Sequence, residues 1–477
     1  MSETHATFRQ MVLLLMAGFL AVAVGAGYWG VVRAGELNAR ADNARRVERE
    51  RRVWRGSMLA RDRRTVFVQT MMDADGIARR QYKYPLLAPV TGVWSLRYAN
   101  TGLEAAYDPW LAGRRGKPLD QWLDNMLHRP VRGYDLVLTV DPQLRAAADA
   151  LLGDRAGAVV VMDPRTGDIL ALASHPTYDP NTFDEQAEEL QRSPNHVLLN
   201  RATQGLYTPG SVFKIVTLAG VLEHRKARLD DVFEDTGLFV VNGFPVRDFQ
   251  PPPQPRLDLA RALAYSSNVI FAQLGLQLGP DLMRQTAQAF GFGEVTPVDL
   301  EAEASSLGPD EFLLDQVGLA NTAYGQGRVQ VTPLHMALIV AGIVNDGVMP
   351  RPRLVQEIRT AEGSVLRRIE PAGWRRATSR RTAAQVRQAL VISAREGYAR
   401  AGAPAGIPIG GKTGTAQLGG NRPPHAWFVA FAPADAPRLV VAVIVENGGI
   451  GGLVAAPIAR QLIQQALTRS RSLVPES

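Results

Sequence analysis

Residues 158–173 read AVVVMDPRTGDILALA, which is two apolar runs separated by a short polar segment. Aspartate, proline and glycine in residues 163–167 are typical of a tight turn, so this stretch predicts a β-hairpin. Three further strands are predicted near the C-terminus, and the last two are rich in valine, phenylalanine, alanine and isoleucine, as buried strands are. They cover residues 407–417, 426–431 and 439–446.

Helices are predicted on both sides of these strands. One ends at Leu152 and follows a strand-like run over residues 136–140, and the other covers residues 454–467. Five strands between two helices predict a mixed α/β (α+β) domain over residues 133–472, with a five-stranded antiparallel sheet flanked by terminal helices. The long region between residues 178 and 402 is predicted to be a large all-helical insertion beside the sheet.

The N-terminal part of the chain predicts a membrane anchor. Residues 11–32 contain no charge and are long enough to cross the hydrocarbon core as a helix. Residues 1–10 would form a cytoplasmic tail, 33–54 a stalk and 55–132 a small β-containing pedestal. A cleaved signal peptide, with Ala21-Val22-Ala23 as the cleavage site, is the alternative, but the length of the run favours an uncleaved anchor. We therefore predict a single-pass protein of the cytoplasmic membrane with its C-terminal domain outside.

Composition excludes several kinds of site. The 477 residues include no cysteine, so disulfides, thiolate metal sites and cysteine nucleophiles are absent. The seven histidines do not fall at metal-ligand spacings. A net charge of +7 indicates either attraction to an anionic surface, such as lipid headgroups, or arginine codon usage. Nucleic acid is not a predicted partner, because no segment alternates basic and aromatic residues.

Lysine is scarce in this chain. There are five lysines against forty-eight arginines, and two of the five lie in segments that suit serine acylation. Lys214 ends Ser211-Val212-Phe213-Lys214, and Lys412 opens Lys412-Thr413-Gly414-Thr415. Arginine is always protonated and cannot act as a base, whereas lysine loses its proton readily once desolvated. The positions of these two lysines therefore indicate a chemical role.

Ser211 follows the helix-breaking segment Thr208-Pro209-Gly210 and begins an apolar stretch of helical length. The free N–H groups at a helix start favour developing negative charge, and Lys214 lies one turn further on the same face. A neutral amine at that place can accept the proton of the Ser211 hydroxyl. The spacing is weak evidence alone, since a serine three residues before a lysine is common.

Ser266-Ser267-Asn268 and the Lys412 segment complete the pattern. The triplet on its own is usually a helix cap or a solvated turn, but it can also supply a second hydroxyl, besides that of Ser211, to shuttle a proton to the leaving amine. The Lys412 segment is either a glycine-rich turn or a strand edge that pairs with a peptide. Together, S-x-x-K, S-x-N and K-T-G in this order form a known serine-acylation set.

The chain resembles the penicillin-binding proteins, and specifically the class B, monofunctional D,D-transpeptidases. The resemblance covers about residues 55–468. It rests on the three motifs and on Leu138–Leu144, Val161–Ala171, Asn200–Ser211, Gly325-Gln326-Gly327, Val331-Thr332-Pro333, Ala426–Pro433, Arg55-Gly56, Thr101–Glu104 and Tyr107-Asp108. One departure follows Arg55-Gly56, where the family often has aspartate-arginine-asparagine-glycine and this chain has Ala60-Arg61-Asp62-Arg63-Arg64.

The resemblance implies a mechanism and a set of site residues. Ser211 would attack the carbonyl of a D-Ala-D-Ala stem peptide, and an acceptor amine would resolve the acyl-enzyme to form a cross-link. Lys214 would be the base, Ser266 the proton relay and Asn268 the positioning amide. Lys412 would complete the catalytic set, and the N–H groups of Ser211 and Thr415 would form the oxyanion hole. Thr413, Gly414 and Thr415 would bind the substrate.

The resemblance also implies partners and alternatives. β-Lactams would be covalent inhibitors, a SEDS-family glycosyltransferase would be the partner in the membrane, and no metal or organic cofactor is implied. The roles in cell division and cell shape both remain open. A serine D,D-carboxypeptidase or β-lactamase is the nearest enzymatic alternative, but the anchor, the pedestal and the chain length argue against it. A non-catalytic cell-wall scaffold or β-lactam sensor is disfavoured because both lysines and both motif serines are present.

Overall fold

The structure, a computed structural model, describes residues 2–33, 48, 50–116, 132–250 and 252–472. Helices α1–α15 of this part of the chain span Ser2–Gly27, Ala88–Thr91, Gly102–Ala106, Asp108–Leu111, Pro142–Leu152, Phe183–Arg192, Lys214–Glu223, Leu259–Ala264, Asn268–Leu278, Pro280–Ala289, Asp310–Leu314, Gln316–Ala323, Pro333–Val344, Arg380–Glu396 and Gly451–Ser472. Strands β1–β17 span Met58–Leu59, Val66–Met72, Ala78–Tyr82, Asp135–Leu138, Gly157–Met162, Ile169–His175, Val232–Glu234, Leu238–Val241, Phe244–Arg247, Arg256–Asp258, Val348–Pro350, Val355–Arg359, Val365–Arg368, Gly373–Arg376, Gly410–Ala416, His425–Ala432 and Leu439–Val445.

The predicted five-stranded antiparallel sheet is confirmed. Its strands lie in the order β15-β16-β17-β5-β6, and every neighbouring pair is antiparallel. β5 and β6 form the hairpin predicted from residues 158–173, closed by a hydrogen bond from the Gly167 N–H to the Asp163 carbonyl at 2.9 Å. β16 and β17 are almost entirely buried, in keeping with their apolar sequences. β15 lies at the edge of the sheet, and no strand of the described ranges pairs with its other side.

Helices cover both faces of this sheet. On one face, α5 and α15 pack their apolar residues against β5, β16 and β17, so the predicted terminal helices are confirmed. On the other face, α7 and α13 join the main core. Eleven of the twelve residues of α13 are buried. Because a helix that is apolar on all sides belongs inside a domain, α13 is a core helix that packs against β5, β16 and β17 of the sheet.

The predicted all-helical insertion needs a correction. Residues 178–402 contain helices α6–α14, but they also contain strands β7–β14. Six of these strands form three two-stranded sheets, in which β7 pairs with β10, β8 with β9 and β11 with β14. These strands are only three or four residues long and are largely exposed, so they leave no clear period-two pattern in the sequence. The hairpin β8–β9 borders the site described below.

A second sheet lies across the predicted boundary between residues 132 and 133. Its six strands have the order β13-β12-β4-β1-β2-β3. β1–β3 come from the predicted pedestal, whereas β4, β12 and β13 come from the predicted C-terminal domain. β4 pairs in parallel with β1 and antiparallel with β12. The domain limits stay predictions, but the two regions share this sheet.

Three pedestal segments that resemble the family, those of Arg55, Glu104 and Asp108, meet in a buried ion-pair network. The Arg55 guanidinium donates to Glu104 at 2.9 Å, and Arg80 donates to the other oxygen of Glu104 at 2.6 Å. Arg55 also donates to Asp108 at 2.8 Å. Glu104 is fully buried. A buried carboxylate needs such partners, because removing them leaves an uncompensated charge.

The sequence departure after Arg55-Gly56 forms the turn between β1 and β2. The Asp62 carboxylate accepts hydrogen bonds from the N–H groups of Arg64 at 2.9 Å and Thr65 at 2.8 Å. Burial raises the pKa of Asp62, but the Thr65 hydroxyl, which donates to Asp62 Oδ2 at 2.7 Å, and then these two N–H groups hold it below its usual value. Arg63 adopts a φ of +61°, a conformation that asparagine and glycine adopt more readily. Asp62 therefore supplies a tight turn without the family's usual residues.

The N-terminal helix is long and exposed. α1 continues as a π-helix over Tyr28–Val32, and the stretch Thr7–Val32 is long and apolar enough to cross a membrane. None of its apolar surface is covered by the rest of the described chain. Most of the predicted stalk lies outside the described residues. The limits of tail, anchor and stalk stay predictions.

Candidate active site

Ser211 lies in a single 3₁₀ turn, Gly210–Phe213, that leads directly into α7. The turn is fixed on two sides. The Trp427 indole N–H on β16 donates to the Thr208 carbonyl at 3.0 Å, and the Gly210 N–H donates to the Gly325 carbonyl at 2.8 Å. Ser211 therefore lies at a helix start, as the sequence predicted, with its side chain partly exposed.

Glycines at positions 210 and 325 allow this close packing. Gly210 has a φ of +56°, and a Cβ there would lie 3.1 Å from backbone atoms of Thr415 and Ala416 on β15. A Cβ on Gly325 would lie only 1.8 Å from the Gly210 carbonyl oxygen. The backbone at Ser211 consequently approaches the edge strand β15 as closely as two main chains can.

Lys214 is the central group of the site. Its side chain is completely buried, and its Nζ lies 3.1 Å from Ser211 Oγ and 3.2 Å from Ser266 Oγ. Nζ also donates to the Ser266 carbonyl at 2.6 Å and to Asn268 Oδ1 at 2.8 Å. The first and second motifs of the sequence analysis thus meet at one amine.

The protonation of Lys214 follows from these surroundings. Burial, and then the charge of Lys412, lower the pKa of Lys214 well below its ordinary value, while Asp248 and Asp235 oppose this shift. A neutral amine has two N–H groups and one lone pair. The Ser266 carbonyl and Asn268 Oδ1 are pure acceptors and occupy the two N–H groups, so the lone pair is left for a hydroxyl. The Ser211 hydroxyl is at the right distance to donate to it.

Lys412 brings the third motif to the same hydroxyl cluster. It lies on β15, is completely buried, and donates to Ser266 Oγ at 2.9 Å and to the Thr413 carbonyl at 3.0 Å. Burial lowers the pKa of Lys412 to about 7. Ser266 Oγ therefore lies between the two amines, where it can pass a proton from one side to the other.

The three residues of the middle motif have different places. Ser267 is the N-cap of α9, because its side chain accepts a hydrogen bond from the Ile270 N–H at 3.0 Å. Ser266 has a φ of +61°, which turns the chain before the helix and directs its hydroxyl to the lysines. Asn268 is the first residue of α9. The capping alternative thus applies to Ser267 only.

A cleft of about 940 Å³ opens over these groups. Ser211, Ser266, Asn268, Thr413 and Thr415 line it, whereas both lysines lie beneath the floor. Gly414 lies on β15 opposite Trp427, and the Thr415 hydroxyl accepts a hydrogen bond from the Gly451 N–H at 3.3 Å. The free side of β15 can pair with an extended peptide lying in the cleft. Among the described residues, no group of three or more histidine or acidic side chains is placed to hold a metal ion.

Two carboxylates beside this site lie outside the motifs of the sequence. Asp248 follows β9 and accepts hydrogen bonds from the main-chain N–H groups of Asn268 and Val269. Asp235, which follows β7, contacts Asp248. Neither residue belongs to a motif, and their distances from Asn268 along the chain depend on an irregular hairpin. No sequence signal identified them.

A sheet edge beside a serine whose hydroxyl faces a buried neutral amine is the arrangement of a serine acyl-transferring enzyme. Comparison with known proteins agrees. Residues 157–464 match the family model for the penicillin-binding protein transpeptidase domain. The chain is 36% identical to the peptidoglycan D,D-transpeptidase PbpA of Mycolicibacterium smegmatis, over 97% of this chain and 99% of that protein.

Solved structures give the same result. Penicillin-binding protein A of Mycobacterium tuberculosis, in its penicillin G acyl-enzyme complex, matches with a TM-score of 0.80 and 34% identity, over 87% of this chain and all of that chain. The D,D-transpeptidase domain from Eggerthella lenta matches with a TM-score of 0.80 and 34% identity, over 88% of this chain. The chain belongs to the penicillin-binding protein transpeptidase family, and within it to the class B proteins.

Proposed function

We propose that this chain is a peptidoglycan D,D-transpeptidase that cross-links stem peptides through an acyl-enzyme on Ser211. The observation that carries the proposal is the contact of 3.1 Å between Ser211 Oγ and a buried Lys214 amine whose N–H groups are already occupied. The similarity to relatives such as the peptidoglycan D,D-transpeptidase PbpA of Mycolicibacterium smegmatis supports the same reaction.

Acylation begins when the Ser211 hydroxyl gives its proton to Lys214. Ser211 Oγ then attacks the carbonyl between the two D-alanines of the stem peptide. The peptide C–N bond breaks, an ester to Ser211 forms, and the leaving amine takes up a proton through the Ser266 hydroxyl. Terminal D-alanine departs. In the second half, an acceptor amine attacks the ester, an amide cross-link forms, and the proton returns to Ser211.

Binding of the donor peptide falls to β15. The N–H groups of Ser211 and Thr415 form the oxyanion hole, and the close packing of Gly210 on β15 supports this pairing. Lys412 and the hydroxyls of Thr413 and Thr415 hold the terminal carboxylate, while Gly414 lets the peptide approach the strand. Asn268 positions both Lys214 and the substrate amide. β-Lactams enter the same cleft as mimics of the D-alanyl-D-alanine bond.

Cross-linking tests this function directly. We expect the full-length chain in detergent to join stem peptides on nascent glycan supplied by a SEDS-family polymerase, its proposed partner in the membrane, and penicillin to block the reaction. The products are separated by liquid chromatography after muramidase digestion. Release of D-alanine without cross-linked product would instead favour a carboxypeptidase, and cross-linking that does not improve when the polymerase is present would exclude the partnership.

The membrane topology is part of the proposal. Residues 11–32 anchor the chain once in the cytoplasmic membrane, and the cleft faces outward, where peptidoglycan lies. Because the chain has no cysteine, a single introduced cysteine reports its side of the membrane. We expect a membrane-impermeant maleimide added to intact cells to label Asn447→Cys but not Ser2→Cys. Labelling of Ser2→Cys together with protection of Asn447→Cys would show that the chain has the opposite orientation in the membrane.

A further inference from the structure

Asp248 lines the same cleft as Ser211 and Asn268 and has no role in the mechanism above. Its Oδ1 accepts hydrogen bonds from the N–H groups of Asn268 at 2.5 Å and Val269 at 3.2 Å. These are the first two N–H groups of α9, which have no partner within the helix. A carboxylate at that place fixes where the helix starts. It therefore fixes the position of the Asn268 main chain, from which the side chain projects.

The residue before Asp248 fixes the other end of the same side chain. Asn268 Nδ2 donates to the Arg247 carbonyl at 2.8 Å, and Asn268 Oδ1 accepts from Lys214 Nζ at 2.8 Å. The Arg247 carbonyl is a pure acceptor, so it determines which end of the amide faces Lys214. The end of the β8–β9 hairpin thus holds Asn268 by both its main chain and its side chain.

Asp235 supports Asp248 from behind. Asp235 is buried, with 2% of its surface exposed, and its carboxyl group contacts that of Asp248. Its Oδ1 accepts from the Gly237 N–H at 2.9 Å. The Oδ2 atoms of both residues are buried and accept no hydrogen bond from the N–H groups and hydroxyls of the described residues. Two carboxyl groups in contact satisfy these atoms when they hold one proton between them.

We propose that Asp248, backed by Asp235, is a positioning residue of the acylation site that fixes Asn268 and supplies negative charge facing Lys214. The inference rests on the proposed function, because it assigns these carboxylates to the tuning of its base. Neither of them touches the reacting atoms. Their effect on acylation passes through the place of Asn268 and through the proton affinity of Lys214.

The charges around the pair support this role. Asp248 and Asp235 both raise the pKa of Lys214, against burial and Lys412, which lower it. Burial, and then the hydrogen bond and charge of Asp235, raise the pKa of Asp248 to about 6. Tyr398 lines the same cleft as Asp248, and burial and then the charge of Asp248 raise the pKa of its phenol. Asp248 therefore gains or loses its proton near pH 6, and this changes the charge that acts on Lys214.

The test is the pH profile of penicillin acylation for the full-length chain in detergent. Asp248→Asn keeps an oxygen for the Asn268 N–H and can donate to Asp235, and above about pH 6, where Asp248 is otherwise ionised, it removes one negative charge. Removing negative charge lowers the pKa of Lys214, so the rising limb of the profile should move to lower pH, by about one unit. Asp235→Asn should shift it in the same direction. Asp248→Ala should also reduce the acylation rate roughly 10- to 100-fold, because Asn268 loses its anchor.

The matched control is Asp230→Asn, which makes the same change of charge on a fully exposed carboxylate before β7 and should leave the profile unchanged. Thermal unfolding of each variant separates positioning from stability. If both asparagine variants keep the wild-type limb, or change only the unfolding midpoint, the inference is overturned even if Asp248→Ala does not fold. Failure of the proposed function is distinguishable, since the wild-type chain would then not be acylated on Ser211 at all.

Discussion

Replacing Ser211 with alanine is expected to abolish covalent labelling by a fluorescent penicillin. Without Oγ there is no atom to form the ester, and cross-linking should fall by a factor on the order of 10⁶, the loss found when other serine enzymes lose their nucleophile. The measurement is intact-protein mass spectrometry followed by peptide mapping. The wild-type chain should carry one adduct, on the peptide that contains Ser211.

A folded Ser211→Ala chain is essential to this experiment. Ser211 is partly exposed, and the variant removes one oxygen without opening a buried cavity, so the unfolding midpoint should stay close to that of the wild-type chain. Ser364→Ala is the matched control, because Ser364 is exposed in the turn between β12 and β13. An adduct that persists in Ser211→Ala would place the nucleophile elsewhere. A wild-type chain that neither takes up penicillin nor cross-links stem peptides would support the sensor or scaffold alternatives.

Replacing Lys214 with methionine should slow penicillin acylation by about 10²- to 10⁴-fold, the usual contribution of a general base. Methionine fills a similar volume with an unbranched side chain, and it removes the amine without leaving a buried charge. Lys214→Arg should be at least as slow, because a guanidinium cannot accept the serine proton. The matched control is Lys226→Met, which changes an exposed lysine just beyond the end of α7.

The pH profile identifies the two amines. As the pH rises through the lowered pKa of Lys214, the amine loses its proton and becomes a base, so the acylation rate rises. As it rises further through the pKa of Lys412, at about 7, the charge that holds the substrate carboxylate is lost and the rate falls. Lys412→Arg should therefore remove the falling limb, because arginine keeps its charge. A wild-type rate that does not depend on pH between 5 and 9 would contradict both assignments.

Much of the site was predictable from the sequence because its chemistry is concentrated in three short motifs. Each motif keeps its residues on one turn or one strand, so the local structure already determines which side chains point together. Ser211 and Lys214 on one helix start, and Lys412 to Thr415 on one strand, are of this kind. The sequence could not show that Ser266 Oγ lies between the two lysines, since that meeting depends on packing between elements far apart in the chain.

The parts that were missed have a common physical cause. The segment from β7 to β10 consists of strands of three or four residues whose exposed side chains follow no regular pattern. The all-helical prediction for the insertion included this segment. Asp235 and Asp248 lie at the ends of those strands, where no periodicity distinguishes a buried carboxylate from a solvated one. The buried strands β16 and β17, by contrast, are continuous apolar runs, and the residues at which they begin and end could be predicted to within a few residues.

The six-stranded sheet has a consequence for the history of this architecture. Two of its strands, β12 and β13, enter from a part of the chain more than two hundred residues after β4. Recombination that exchanged only the region before residue 133 would have to supply new partners for β4 and its neighbours, and their hydrogen-bonding edges and apolar side chains would otherwise meet water. We therefore expect the region before residue 133 and the transpeptidase domain to have been inherited together, rather than as separately exchangeable units.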